Sequence, residues 1–186
     1  MSNLPSLILL DTMAAAGIFS DRQEKQKKWV STILHLIAFL PEADITIPTP
    51  VFLELAQWHV NWYKYVQNIN QPSISSSPLL KYVSYSIPKK VFYPAAAYKL
   101  FCSNKQNKPD EFRKEKNKIS FIDSLLASYC LTYNYALVTE NHNDFPDKYF
   151  SIVKVATSPE STGTERRLLF LLKPNTEAWR NDLSRI

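Results

Sequence analysis

KISFIDSLLASYCLTYNYALVTENHNDF, residues 118–145, is the stretch on which the fold turns. Ser120 stands where a hydroxyl caps a helix, and Asp123 takes the third helical position, so the pair reads as a capping box with Asp in place of Glu. Behind it Phe121, Ile122, Leu125, Leu126, Tyr129 and Tyr133 recur at helical spacing and predict one apolar face. Tyr135 to Thr139 predicts a short buried strand, which runs into a polar loop, Glu140 to Asp144. A helix that starts on one carboxylate and a strand that ends near another aim both acids at one rim. Oxygen ligands gathered there suit Mg²⁺ or Mn²⁺, which are hard cations. The structural alternative is that Asp123 only caps its helix and Asp144 only solvates a turn, and this stretch alone favours neither.

Working outward, Leu7 to Leu10 is a continuous apolar run that stops at Asp11-Thr12. Such a run predicts a central parallel strand covered on both faces, with Asp11 at its carboxyl end, where open α/β sheets place their sites. Residues 21 to 40 predict an amphipathic helix whose buried stripe is Trp29, Ile33, Leu36, Ile37 and Leu40, ended by Pro41. Ile45 to Ile47 predicts a second short strand, and Pro48-Thr49-Pro50 opens a helix expected to run to about Asn68. Glu54 lies in the second turn of that helix, near the rim where Asp11 emerges. Trp58, His59, Trp62 and Tyr63 form an aromatic stripe, read first as core or dimer packing and second as a platform for bases.

Gln71 to Pro78 reads as a loop, Tyr82 to Ile87 as a weak strand, and Val91 to Phe101 as a helix interrupted near its start by Pro94. Lys105 to Lys118 carries six basic and three acidic residues, and it leads directly into the helix of Asp123. Ser151 to Thr157 alternates as a strand. A turn-rich link follows, then the apolar run Arg167 to Leu172 and a helix-like tail. These boundaries predict a main domain over 1–157 and a C-terminal extension over 158–186, packing on the domain or on a dimer mate.

Composition removes several classes. With only two glycines, Gly17 and Gly163, no glycine-rich phosphate loop or dinucleotide fingerprint can be written. Cys102 and Cys130 form no C-x-x-C pair and read as reduced thiols of a cytoplasmic protein. The longest apolar run, Ile33 to Leu40, is too short to span a bilayer, so a soluble protein with no membrane partner is expected. A net charge of +5 leaves room for an anionic partner without specifying one.

Four acids stand in comparable places: Asp11 after the first strand, Glu54 early in a helix, Asp123 at a helix start and Asp144 after a late strand. With LILLDT at 7–12, TPVFLELA at 49–56, ISFIDSLLAS at 119–128 and LVTENHNDF at 137–145, the chain resembles the PIN domain, a metal-dependent nuclease fold known from VapC-type toxins. The resemblance covers roughly residues 4 to 157. It implies a three-layer α/β domain with a mostly parallel central sheet flanked by helices. It implies a ribonuclease in which Asp11, Glu54, Asp123 and Asp144 hold Mg²⁺ or Mn²⁺, with Thr12, Thr139 and Asn141 in support. Either Asn141 or Asp144 fills the family's fourth acidic place, and Asp144 is favoured. RNA as substrate, a small antitoxin and a homodimer are the implied partners. Met13 departs from the Asn or Ser common after the first acid of this family. The alternative is a PIN-like scaffold without activity that binds RNA or protein.

Overall fold

The first strand, β1 (Leu7–Leu10), carries apolar residues on both of its faces, and Ile8, Leu9 and Leu10 are all buried. Neighbouring side chains of a strand point to opposite sides, so this burial requires cover on both faces. In the computed structural model, which describes residues 5–18, 23–38, 40, 42–55, 57, 83–84, 88–104, 119–161 and 167–185, that cover is helical. The chain continues through α1 (Thr12–Ile18), α2 (Gln23–Ile37), β2 (Asp44–Pro48), α3 (49–55) and β3 (Val83–Ser84). Then come α4 (Phe92–Asn104), α5 (Phe121–Tyr133), β4 (Ala136–Thr139), β5 (Phe150–Thr157), β6 (Leu168–Pro174) and α6 (Thr176–Leu183).

Among the described residues the sheet has six strands in the order β3-β2-β1-β4-β6-β5. β1 pairs in parallel with β2 and with β4, and β2 in parallel with β3. β6 runs antiparallel to both β4 and β5. The expected mixed α/β architecture, mostly parallel at its centre and with β1 inside the sheet, is present. α1 packs on α2, α2 reaches β5 and β6, and α4, α5 and α6 form a second helical group.

Several local expectations are met for physical reasons. Ser120 caps α5, its hydroxyl accepting from the Asp123 amide at 3.0 Å. Asn134 closes the same helix in the left-handed conformation, φ 59°, which Asn tolerates better than most residues. The stripe of α2 is buried at Trp29, Ile33, Leu36 and Ile37. Both cysteines are buried and neither forms a disulfide.

Elsewhere the structure adds to the expectations or corrects them. Thr12 to Ile18 is helical, although no amphipathic pattern marks it; its Gly17 lies against Trp29, and a Cβ there would stand 2.1 Å from the indole. Pro94 does not interrupt α4, because it falls in the first turn, where an amide has no helical acceptor to lose. Phe121 does not join the buried face of α5 and is 59% exposed, since the first turn overhangs the core. The segment after 157 supplies β6, which enters between β4 and β5 with Leu169 to Leu172 buried. The aromatic stripe at 58–63, the loop at 71–78 and the charged segment at 105–118 lie outside the described residues.

Candidate functional site

Parallel strands β1, β2 and β4 end on the same side of the sheet, and each hands the chain to a polar element there. After β1 comes Asp11, whose backbone amide still pairs with Val138 of β4 at 3.0 Å. Its side chain turns onto α1 and accepts from the Ala14 amide at 2.7 Å, so Asp11 is also the cap of that helix. The Thr139 hydroxyl and the Glu140 backbone amide are further hydrogen-bond partners of this carboxyl. Asp11 is nonetheless only 6% exposed, and burial pushes its carboxyl up to about 6, with the negative charge of Asp123 adding to the rise.

The end of β4 brings the other acids in. Thr139 accepts from the Asn141 amide at 2.9 Å, which folds the loop back over the strand end. Asn141 then donates from its side-chain amide to the Asp144 carboxyl at 2.7 Å. Asp144 in turn is hydrogen-bonded to Asp123 at the start of α5; burial first, and then the charge and hydrogen bond of Asp123, raise Asp144 to about 6. Two carboxyls this close repel when both are charged, so the charge of Asp123 favours the neutral form of Asp144. Ser120 holds Asp123 from its other side, accepting from its amide and donating to its carboxylate.

Glu54 enters from α3, half-buried, and accepts a short hydrogen bond from the Thr12 hydroxyl. Thr12 follows Asp11 directly, which sets Glu54 beside the same strand end. His142 sits in the 3-10 turn with Asp144, its ring against Phe170 of β6 at 4.3 Å between centroids.

The structure therefore joins Asp123 to Asp144 and places Asp11 within electrostatic reach of Asp123, with Glu54 linked to the first strand end through Thr12. Thr139, Asn141 and Thr12 each bond to one of these acids. Their donor chemistry, oxygen atoms on several separate elements, fits a hard divalent cation. Among the described residues, no three His, Cys, Asp or Glu side chains stand together in the arrangement of one shared ligand set. The acids form a chain of pairs. Sequence reasoning missed Tyr98, whose hydroxyl donates to the main-chain carbonyl of Asp144 at 2.7 Å, and Ser158, which donates to the Glu140 carboxylate. A buried tyrosine on a helix face gives no sequence signal that separates a core ring from a loop support.

Compared with protein-family models, with curated proteins and with solved structures, the chain matches none. No helix among the described residues is long and apolar enough to cross a membrane.

Proposed function

We propose that the chain is a divalent-metal-dependent endoribonuclease, with Asp11, Glu54, Asp123 and Asp144 as the acids that hold Mg²⁺ or Mn²⁺. The observation that carries this reading is the Asp123–Asp144 contact beside buried Asp11, three acids from three separate elements at one rim. Such crowding raises the free energy of the charged forms, and a cation relieves it. When bound, a divalent ion polarises a scissile phosphate and makes hydroxide available from water near neutral pH. The chain's own residues prepare the carboxylates. Ser120 fixes Asp123, Asn141 fixes Asp144, Thr12 fixes Glu54, and Thr139 with two backbone amides fixes Asp11. No histidine is required as a base in this reading.

The test is cleavage of single-stranded RNA with Mg²⁺ or Mn²⁺, with and without EDTA, by wild type and Asp123→Asn, alongside thermal melts of both. We expect Asp123→Asn to abolish cleavage while folding persists, because Ser120 is the cap of α5 and the Asp123 backbone amide it accepts from is unchanged. Asp11→Asn should also abolish it, and Asp144→Asn should be milder if Asn141 shares its role. Cleavage that survives both EDTA and Asp123→Asn would remove this reading.

A toxin role with a small antitoxin and a homodimer belongs to the same proposal, supported by the sequence resemblance. Harmless overexpression without a partner would count against the toxin, and a strict monomer in light scattering against the dimer. The observation favouring an inactive RNA- or protein-binding scaffold is the pairwise arrangement of the acids, each already satisfied by donors from the chain itself.

A further inference from the structure

Tyr98 lies on α4 with no exposed surface, yet it carries a hydroxyl that must be satisfied inside the core. The hydroxyl donates to the main-chain carbonyl of Asp144 at 2.7 Å, and the Cys102 thiol, one turn further along α4, is a further polar neighbour. The ring is gripped on several sides. Tyr149 lies at 5.9 Å, Trp179 of α6 at 6.1 Å and Phe150 of β5 at 6.5 Å between ring centroids. Phe145, the residue after Asp144, is buried edge-on against Phe150 at 5.4 Å.

A carbonyl and a side chain leave the same residue through one Cα. Holding the carbonyl of Asp144 therefore restricts the direction in which its carboxyl leaves the backbone. The 3-10 turn His142–Asp144 is short and none of its residues is fully buried; His142 rests on Phe170, and the Asp144 carbonyl is held by the Tyr98 hydroxyl.

We propose that Tyr98 is the positioning residue for Asp144: its hydroxyl anchors the Asp144 carbonyl, and the ring cluster with Trp179 makes that anchor rigid, so that α6 supports the acidic rim from behind. Its functional meaning rests on the nuclease reading, whereas the anchor itself does not. A phenylalanine would fill the same space, so the hydroxyl is the part that acts on the loop.

The test is Tyr98→Phe, read by amide hydrogen exchange and by the Mn²⁺ dependence of RNA cleavage. Exchange at Asn141 and Phe145 should quicken by about tenfold, the scale set by losing one buried hydrogen bond, while amides of β1 and β4 keep wild-type protection. The Mn²⁺ concentration for half-maximal cleavage should rise severalfold with KM for RNA unchanged, and saturating Mn²⁺ should restore kcat. Protection lost evenly through the domain with an unchanged Mn²⁺ dependence would overturn the proposal, and so would wild-type exchange in the loop. Should the variant not fold, Trp179→Phe keeps the hydroxyl bond but loosens its backing. It should shift both readouts the same way and less, and wild-type behaviour there would also overturn the proposal. If wild type cleaves no RNA with any divalent ion, the nuclease reading fails by itself, and selective loop exchange in Tyr98→Phe still decides the anchor.

Discussion

Asp11 is a helix cap, buried and acidic at once, and its titration ties those properties to stability. Its carboxyl and that of Asp144 stand at about 6 in the folded chain, against 3.8 for an ordinary Asp, with burial the first cause in each. Between about pH 4 and pH 6 the folded chain thus holds more protons than the unfolded one, and stability falls as pH rises through that window. The stabilisation is fully present below the unfolded value and is lost above the folded one. For Asp11 it is on the order of 3 kcal/mol. Thermal melts in EDTA should show the decline from pH 4 to pH 7, and Asp11→Asn should flatten it, gaining on wild type at pH 7. A wild-type melting temperature that climbs across this window would contradict the burial of these acids. Divalent ions should raise the wild-type melting temperature more at pH 7 than at pH 5, because they bind the charged forms.

Among the elements, β1 and β4 were legible because a strand buried on both faces leaves an unbroken apolar run, Leu7 to Leu10 and Ala136 to Val138. α5 was legible from its cap and from Leu125, Leu126 and Tyr129, all buried. α1 was not, since TMAAAGI is short and offers no polar face for a period to stand out against. What fixes α1 is tertiary: Gly17 admits the Trp29 ring of α2, with no room for one more carbon. Gly17→Ala should therefore destabilise the fold by at least about 1–3 kcal/mol, the usual cost of overpacking, despite the better helix propensity of Ala. A urea midpoint for Gly17→Ala equal to wild type would show that α1 and α2 are not in this contact. The acids were legible one by one from their places after strands and at helix starts. Their gathering at one rim was expected too, but the particular contacts, Asp123 with Asp144 and Thr12 with Glu54, were not, because they depend on how loops cross the sheet end.

On the scale of the whole molecule, sheet order departs from chain order at two places, where β1 lies beside β4 and where β6 lies beside β4, and local pattern carries no sign of either. β5 precedes β6 in the chain, yet β6 is the strand that pairs with β4, so β5 is held to the sheet through β6. Removing residues 158–186 would expose the edge of β4, strip β5 of its only neighbour among the described strands and take Trp179 from the ring cluster behind Asp144. A fragment over 1–157 should lose cooperative unfolding and the dispersed amide spectrum of a packed domain, while a fragment that melts like the full chain would refute this dependence. The same sheet end gathers the acids, and their common use of one ion is the centre of the functional reading. Paramagnetic Mn²⁺ added at stoichiometric amounts to the isotope-labelled protein tests it most directly. Resonances near Asp11, Glu54, Asp123 and Thr139 to Asp144 should broaden together and first, those of β5 should stay sharp, and Asp123→Asn should abolish the effect. Broadening scattered over outlying acids such as Glu24 and Glu177, or none at the sheet end, would contradict a shared metal site.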